Sequence, residues 1–479
     1  MTRLITLQSR VCSILVAALA IALVVSCGGG GVVGSGGTGK ASGVTQGTVN
    51  GFGSVIVDGL AYDDRGAPAM VEAAPGVDVP SDVKLGHRVL VVYETSGVAS
   101  MVRVDAALAG SVASVVSPTQ LSVLGQVVIV NSNGSAGPIT QFGGGYTGAA
   151  DVRAGDAIEV HGLLVRQNSS AVVQATRIDK LAAGPAYLRV TGLVSALGAA
   201  GSSTFALGAL TVDATGAPLL PAGTALANGE AVTVLALPGS LTMPSAGTLR
   251  VQAAQIRVLR LFDAGLDDYV SGSVSHLDTQ AKTFTLGGLL VNYAAATLSP
   301  TTTTALANGQ YVQARGMTAA DGSLNATSLS IRNAGSDTEA ELRGNISGYD
   351  TATKQFNLRG VRVDASRASA QGCPATGLVD GLFVEVAGAV SSTGVIAKEV
   401  RCESEPSDAT VEREGVAGSV DVAGKSFTIS RQGTVTPAKW ADTTFFSGGT
   451  PQTMAGKKVH ALGPLVGGVL MAGKVEIED

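Results

Sequence analysis

The feature that most constrains the fold is a stretch that occurs twice at a long spacing. Thr224 to Val234 reads Thr-Ala-Leu-Ala-Asn-Gly-Glu-Ala-Val-Thr-Val, and 80 residues later Thr304 to Ala314 reads Thr-Ala-Leu-Ala-Asn-Gly-Gln-Tyr-Val-Gln-Ala. Solenoid repeats run about 20 to 45 residues, so this offset suits a small domain better. Laid along the chain, the same frame finds Gly with Val or Ile three residues on at Gly86, Gly155, Gly229, Gly309, Gly381 and Gly456. Length alone suggests about three domains; the repeat predicts six smaller units.

Each unit carries landmarks in a fixed order. A short strand comes first: Gly47-Thr-Val, Gly110-Ser-Val, Gly192-Leu-Val, Gly272-Ser-Val, Gly344-Asn-Ile and Gly418-Ser-Val. Next come two strands around a turn, ending in Asp or Asn: Phe52 to Asp58, Leu124 to Asn131, Phe205 to Asp213, Phe284 to Asn292 and Phe356 to Asp364. Glycine at the turn supplies the positive φ of a two-residue hairpin, and the terminal Asp or Asn caps the strand with an Asx-turn. The last unit has Phe427-Thr-Ile-Ser but no clear Val-Asp. In Gly155-Asp-Ala-Ile-Glu-Val-His-Gly162 and Gly381-Leu-Phe-Val-Glu-Val-Ala-Gly388 the apolar residues alternate, which predicts half-buried antiparallel strands with Glu159, His161 and Glu385 facing outward. A closing strand carries Ala-x-x-hydrophobic at Ala99, Ala175, Ala326, Ala397 and Ala472.

Five or so strands in such a short unit are too few for an immunoglobulin-type sandwich, which needs about 100 residues. A small closed antiparallel barrel, near the OB-fold, buries the apolar faces and removes the edges. The predicted fold is therefore all-β, a tandem array of small OB-like barrels. The units are placed at 46–106, 109–181, 188–262, 269–333, 341–404 and a divergent 414–479. A linear solenoid is the second choice.

The order of these motifs resembles an uncharacterised domain family that occurs as tandem copies in bacterial lipoproteins. The resemblance covers nearly all of 46–479 and implies fold and location only, since the family brings no catalytic residues.

The amino terminus agrees with that location. Arg3 and Arg10 precede an unbroken apolar run from Ile14 to Val25, 12 residues long. A bilayer span takes about 20 residues, so 1–26 reads as a secretory signal. Val24-Val25-Ser26-Cys27 resembles a lipobox, which makes Cys27 the lipidated first residue of the mature chain. The Gly-rich segment 27–45 reads as a flexible tether. Gly28, rather than Asp, after Cys27 implies sorting to the outer membrane in a Gram-negative host.

Charge and composition narrow the partners. Net charge is −5, charged residues are 14% and aromatics 4%, with the basic residues scattered. Nucleic acid is excluded as a partner, because a stacking platform needs aromatics beside a basic groove. With Cys12 in the leader and Cys27 lipidated, Cys373 and Cys402 remain, both in the fifth unit. Export places them in an oxidising compartment, so they are expected to form a disulfide worth roughly 3 kcal/mol.

No catalytic, metal or cofactor constellation is expected. His87, His161, His276 and His460 lie in different units without ligand spacing, and His161 and His460 are read as solvated. Asp63-Asp64 and Asp267-Asp268 read as turn or junction residues, and Gly143 to Gly148 as a mobile loop rather than a nucleotide site. Trp440 is assigned to core packing over a sugar-stacking platform. The expectation is a lipid-anchored, non-enzymatic envelope protein. It would extend as a semi-rigid string and serve as a scaffold or as a binding surface for envelope protein or glycan. The alternative is an envelope enzyme or enzyme inhibitor with a site formed between units. Function would concentrate where the units differ, in the loops 136–150 and 236–246, and two or three carboxylates or a histidine at the floor of an inter-unit cleft would favour the enzyme.

Overall fold

A computed structural model describes residues 43–93, 97–167, 170–198, 203–245, 248–259, 267–299, 306–331, 339–403, 410–431, 434–466 and 468–478. Cys27, the signal and most of the tether lie outside the described residues.

The strands form barrels of one topology. In the last barrel the strands are Thr410–Asp421, Ser426–Arg431, Thr434–Ser447, Lys458–Val466 and Val469–Glu478. The first pairs antiparallel with the second and the fourth, the third pairs parallel with the fifth, and the sheet closes. The same pairings recur in the second barrel (strands Leu108–Ser117, Gln120–Val123, Gln126–Val130, Ala157–Gln167 and Ser170–Lys180) and in the units between. The circular order first, second, third, fifth, fourth is the OB-fold Greek key. In the first barrel the third strand meets the fifth through one parallel bridge, Asp63 to Val98, and through the added hairpin Ala69–Ala74 and Val77–Pro80.

The recurrent glycine has one structural job. Gly86, Gly155, Gly229, Gly309, Gly381 and Gly456 all sit at φ between 80 and 91°, where a Cβ is disfavoured. Each donates its N–H to a carbonyl of the first strand, at Val49, Val112, Val194, Val274, Ile346 and Ala417, over 2.7 to 2.9 Å. The next residue's carbonyl accepts the N–H of that same first-strand residue. The pair of bonds locks the fourth strand to the first.

This register corrects two assignments. In the last unit the equivalent of Gly47-Thr-Val is Gly415-Val-Ala417, not Gly418-Ser-Val420, because Ala417 takes the bonds. In the first unit Asp58 does not end a strand. Asp58 and Gly59 are the hairpin turn, at φ 49 and 81°, and Asp63 is the terminal residue, accepting from the Arg65 N–H. The motif Val-Asp-Gly is ambiguous in sequence, since Asp-Gly is also a favoured type I′ turn. Strands are already running at Gly43, Asp267, Glu339 and Thr410, ahead of the expected boundaries at 46, 269, 341 and 414.

The barrels do not form a string. Gly43–Gln46 pairs parallel with Asp267–Val270 of the fourth barrel, and Gly51–Phe52 with Glu341–Leu342 of the fifth. The first barrel also takes an Arg177 hydrogen bond at the Leu85 carbonyl from the second barrel, Gln255 and Arg257 on Glu72 from the third, and its own Ala61 N–H donates to Glu414 of the sixth. It therefore touches all the others. The first and fifth barrels share one hydrophobic core, as do the second and third. Outward faces that a lone barrel would solvate are buried here, which overturns the extended arrangement.

Candidate functional site

The alternation that buries one face of each strand aims charged residues outward, and where barrels pack these faces meet. On the first strand of the fifth barrel, Ala340 and Leu342 enter the core while Glu341 and Arg343 point out. On its fourth and fifth strands Glu385, Glu399 and Arg401 do the same between Val384, Val386 and Val400. The last barrel presents Glu412 and Glu414, His460 beside Val459 and Ala461, and Lys474 and Glu476 beside Val475 and Ile477.

Arg343 is the centre of the junction. Its guanidinium lies 2.8 Å from Glu385, 3.0 Å from Glu412, 3.1 Å from Glu341 and 3.8 Å from Glu476. Glu385 has two further cations, Arg401 at 3.1 Å and Lys474 at 2.8 Å. Burial pushes the Glu385 carboxyl up, but Arg343, Lys474 and Arg401 outweigh it and hold the group down at about 2. Glu341 differs: burial pushes it up to about 7, and its share of Arg343 does not offset this while Glu385 and Glu412 add repulsion. Its side chain keeps 26% exposure, and it lines a cavity of about 380 Å³.

That cavity lies where the first, second, fifth and sixth barrels meet. Glu341, Glu385, Glu476 and His460 line one part, and Thr48, Asn50 and Gln141 add neutral polar groups. Val49, Ile56, Leu85 and Ile139 give it apolar wall. Donor atoms of Glu341, Glu412 and His460 lie within 4.8 Å of one another, near enough to hold a metal ion. Arg343 at 3.0 Å from Glu412 already supplies positive charge there, so a metal would have to displace it.

Residues 109–179 and 271–330 each match a family described as a domain of unknown function (DUF5666). The chain carries a repeated domain of unknown function. The two DUF5666 matches span the first to the fifth strand of the second and fourth barrels. No curated protein matches the chain.

The other residues singled out in the sequence fall as follows. Cys373 and Cys402 are bonded, with sulfurs 2.08 Å apart. His161 and His460 are buried at 0% and 4% exposure, not solvated, because the outer face of each fourth strand is covered by another barrel. His161 stacks on His87 of the first barrel at 4.2 Å, and burial together with the His161 and Arg177 charges pushes His87 down to about 3 despite Asp179. His276 is exposed at a bulge within the first strand of the fourth barrel, between Ser275 and Asp278, its Nδ1 3.1 Å from the Thr285 hydroxyl. Asp268 is not a solvated turn residue: it is buried in the first strand of the fourth barrel, opposite Val44 of the first, and accepts from Thr318 at 2.6 Å. The segment Gly143 to Gly148 is packed rather than loose, with Tyr146 buried and donating to Asp156 at 2.6 Å. Trp440 packs in its barrel core against Phe427 and Phe446.

The Arg343 cluster was missed in sequence because nothing there pairs first strands of different units. A signal existed: Glu341, Arg343, Glu412 and Glu414 place two charges each on the outer face of a first strand, where the fourth unit carries Tyr269 and Ser271 and the second Ala107 and Ala109.

Proposed function

We propose that the chain is an exported envelope lipoprotein, anchored through Cys27, that works by binding a ligand between its barrels. The observation that carries the binding half is the cavity of about 380 Å³ at the meeting of the first, second, fifth and sixth barrels. Small-molecule sites are concave, of about 300 to 1,000 Å³, with apolar walls and a few convergent polar groups. Most carboxylates around it are committed to Arg343, Arg401 and Lys474, an arrangement that serves structure and specificity rather than turnover. The anchor rests on the resemblance of the Cys27 region to a lipobox.

Ala387 lines the cavity and is exposed, so Ala387→Trp fills the space without entering a barrel core. Native mass spectrometry of protein taken from its own envelope should find a small adduct that Ala387→Trp loses. No adduct with either form would sink the binding reading. Cys27→Ala should release the protein from membranes, and a variant that still sediments with them would refute the anchor.

A second reading has support from Glu341 and His460, a carboxyl near neutral pKa beside an imidazole in one cavity. Such a pair suits general acid–base chemistry. Hydrolysis of an envelope glycan or peptide that Glu341→Gln abolishes would favour the enzyme.

A further inference from the structure

We propose that the inter-barrel cavity takes a small aliphatic amine, its ammonium seated at Glu341. The inference rests on the binding reading above and names the ligand chemistry. The argument begins with how positive charge is shared. Lys398 lies at the rim and is held by Glu339 at 3.0 Å, and Lys458 pairs with Glu414 at 2.8 Å. Glu385 draws on three cations, and Glu476 on Arg401 at 3.3 Å. Asp58 is spent on the Thr48 N–H, Ser271 and Tyr311. Glu341 has Arg343 at 3.1 Å, which it shares with Glu385, Glu412 and Glu476, and the His460 ring within 4.8 Å, which it shares with Glu412.

An ammonium entering the cavity meets a carboxyl whose nearest cation, Arg343, is divided among four acids, in a recess partly shielded from bulk water where such a pair is stronger than at an open surface. Its alkyl chain meets Val49, Ile56, Leu85 and Ile139. Gln141 lines the cavity with an amide for a second polar end, while the Thr48 and Asn50 oxygens accept from Arg88 and from the Gly59 N–H. An anion would face Glu341, Glu385 and Glu476 together, and a neutral diol would bring no positive charge to them.

The test is isothermal titration of the mature Cys27→Ala chain, at about 150 mM salt to screen surface charge, with 1,5-diaminopentane. Pentane-1,5-diol and glutarate are the isosteric controls. Saturable 1:1 binding is expected for the diamine alone, weakened at least tenfold by Glu341→Gln and lost in Ala387→Trp. Unfolding temperatures of both variants show that they fold. No diamine binding by the unsubstituted chain, or binding that Glu341→Gln leaves unchanged, overturns the inference. If the diol binds as well as the diamine and Ala387→Trp removes both, the amine is overturned while the cavity remains a binding site. If Ala387→Trp loses no ligand of any kind, including the adduct from the native envelope, the binding reading falls with it.

Discussion

At the scale of single residues, two glycines of the fifth barrel separate conformational from steric demands. Gly381 stands at φ 83° with nothing within 4 Å of the place a methyl would take, so Gly381→Ala meets backbone cost alone, about 1–2 kcal/mol. Gly388 has an ordinary φ, but a Cβ there would lie 2.4 Å from the Ile396 carbonyl oxygen, against the fifth strand. Gly388→Ala must move backbone and should cost more than Gly381→Ala, as a lower denaturant midpoint for the first would show. Glu341 gives a pH prediction. Its folded pKa is raised to about 7 from an ordinary 4.5, so the stability it allows is full below about 4.5 and lost as pH rises through 7. The groups around it, Arg343, Glu385, Glu412, His460 and Glu476, stay constant in a comparison with Glu341→Gln. The variant should therefore melt above the unsubstituted protein at pH 8, with the gap closing toward pH 5. A gap that widens on acidification would mean that Glu341 is stabilised as the anion.

At the scale of strands, the alternation of apolar residues was legible, and with it the barrel core. Val384 and Val386, or Ile158 and Val160, are buried as the period-two pattern requires. The opposite face was not legible, because sequence says that Glu385 and His161 leave one core without saying what covers them. The Asp58-Gly59 turn shows a related limit: local chemistry permits Asp as strand terminus or as turn residue, and only pairing of Leu60–Tyr62 with Val55–Val57 decides. The disulfide was legible by compartment and count, whereas the Arg343 cluster needed the contact between barrels. Its energetics make a prediction for the facing strands. Removing one member of a buried charge network strands the others, at about 3–5 kcal/mol. Arg343→Met should thus destabilise the chain by that order, since Glu385, Glu412 and Glu341 lose a shared cation. Tryptophan fluorescence reports on the last barrel through Trp440 alone, so the variant's emission should change at a lower denaturant concentration than in the parent. Coincident curves would show that the network contributes nothing to the junction.

At the scale of the molecule, tandem order and spatial order separate. Closed barrels have no free edges along most of their length, yet the first strand of the first barrel extends beyond its own sheet to pair with the fourth and fifth barrels. Those pairings, the core shared with the fifth barrel and the Glu72, Leu85 and Ala61 bonds make the first barrel the common neighbour of all the rest. The inter-barrel cavity is a consequence, because Thr48, Asn50 and Ile56 of that barrel form part of its wall. Compactness is measurable in solution. A single compact body of this length has a radius of gyration of about 22 Å, and a string of small barrels would be roughly twice that. Small-angle scattering of the mature Cys27→Ala chain should give a value near the lower figure. Deleting residues 43–106 removes the common neighbour while sparing every other barrel's strands. The shortened chain should expand well beyond the parent and expose the fifth barrel's half of the shared core to proteolysis. Equal dimensions with and without those residues would mean that the remaining barrels pack on one another unaided, and the central role of the first barrel would be wrong.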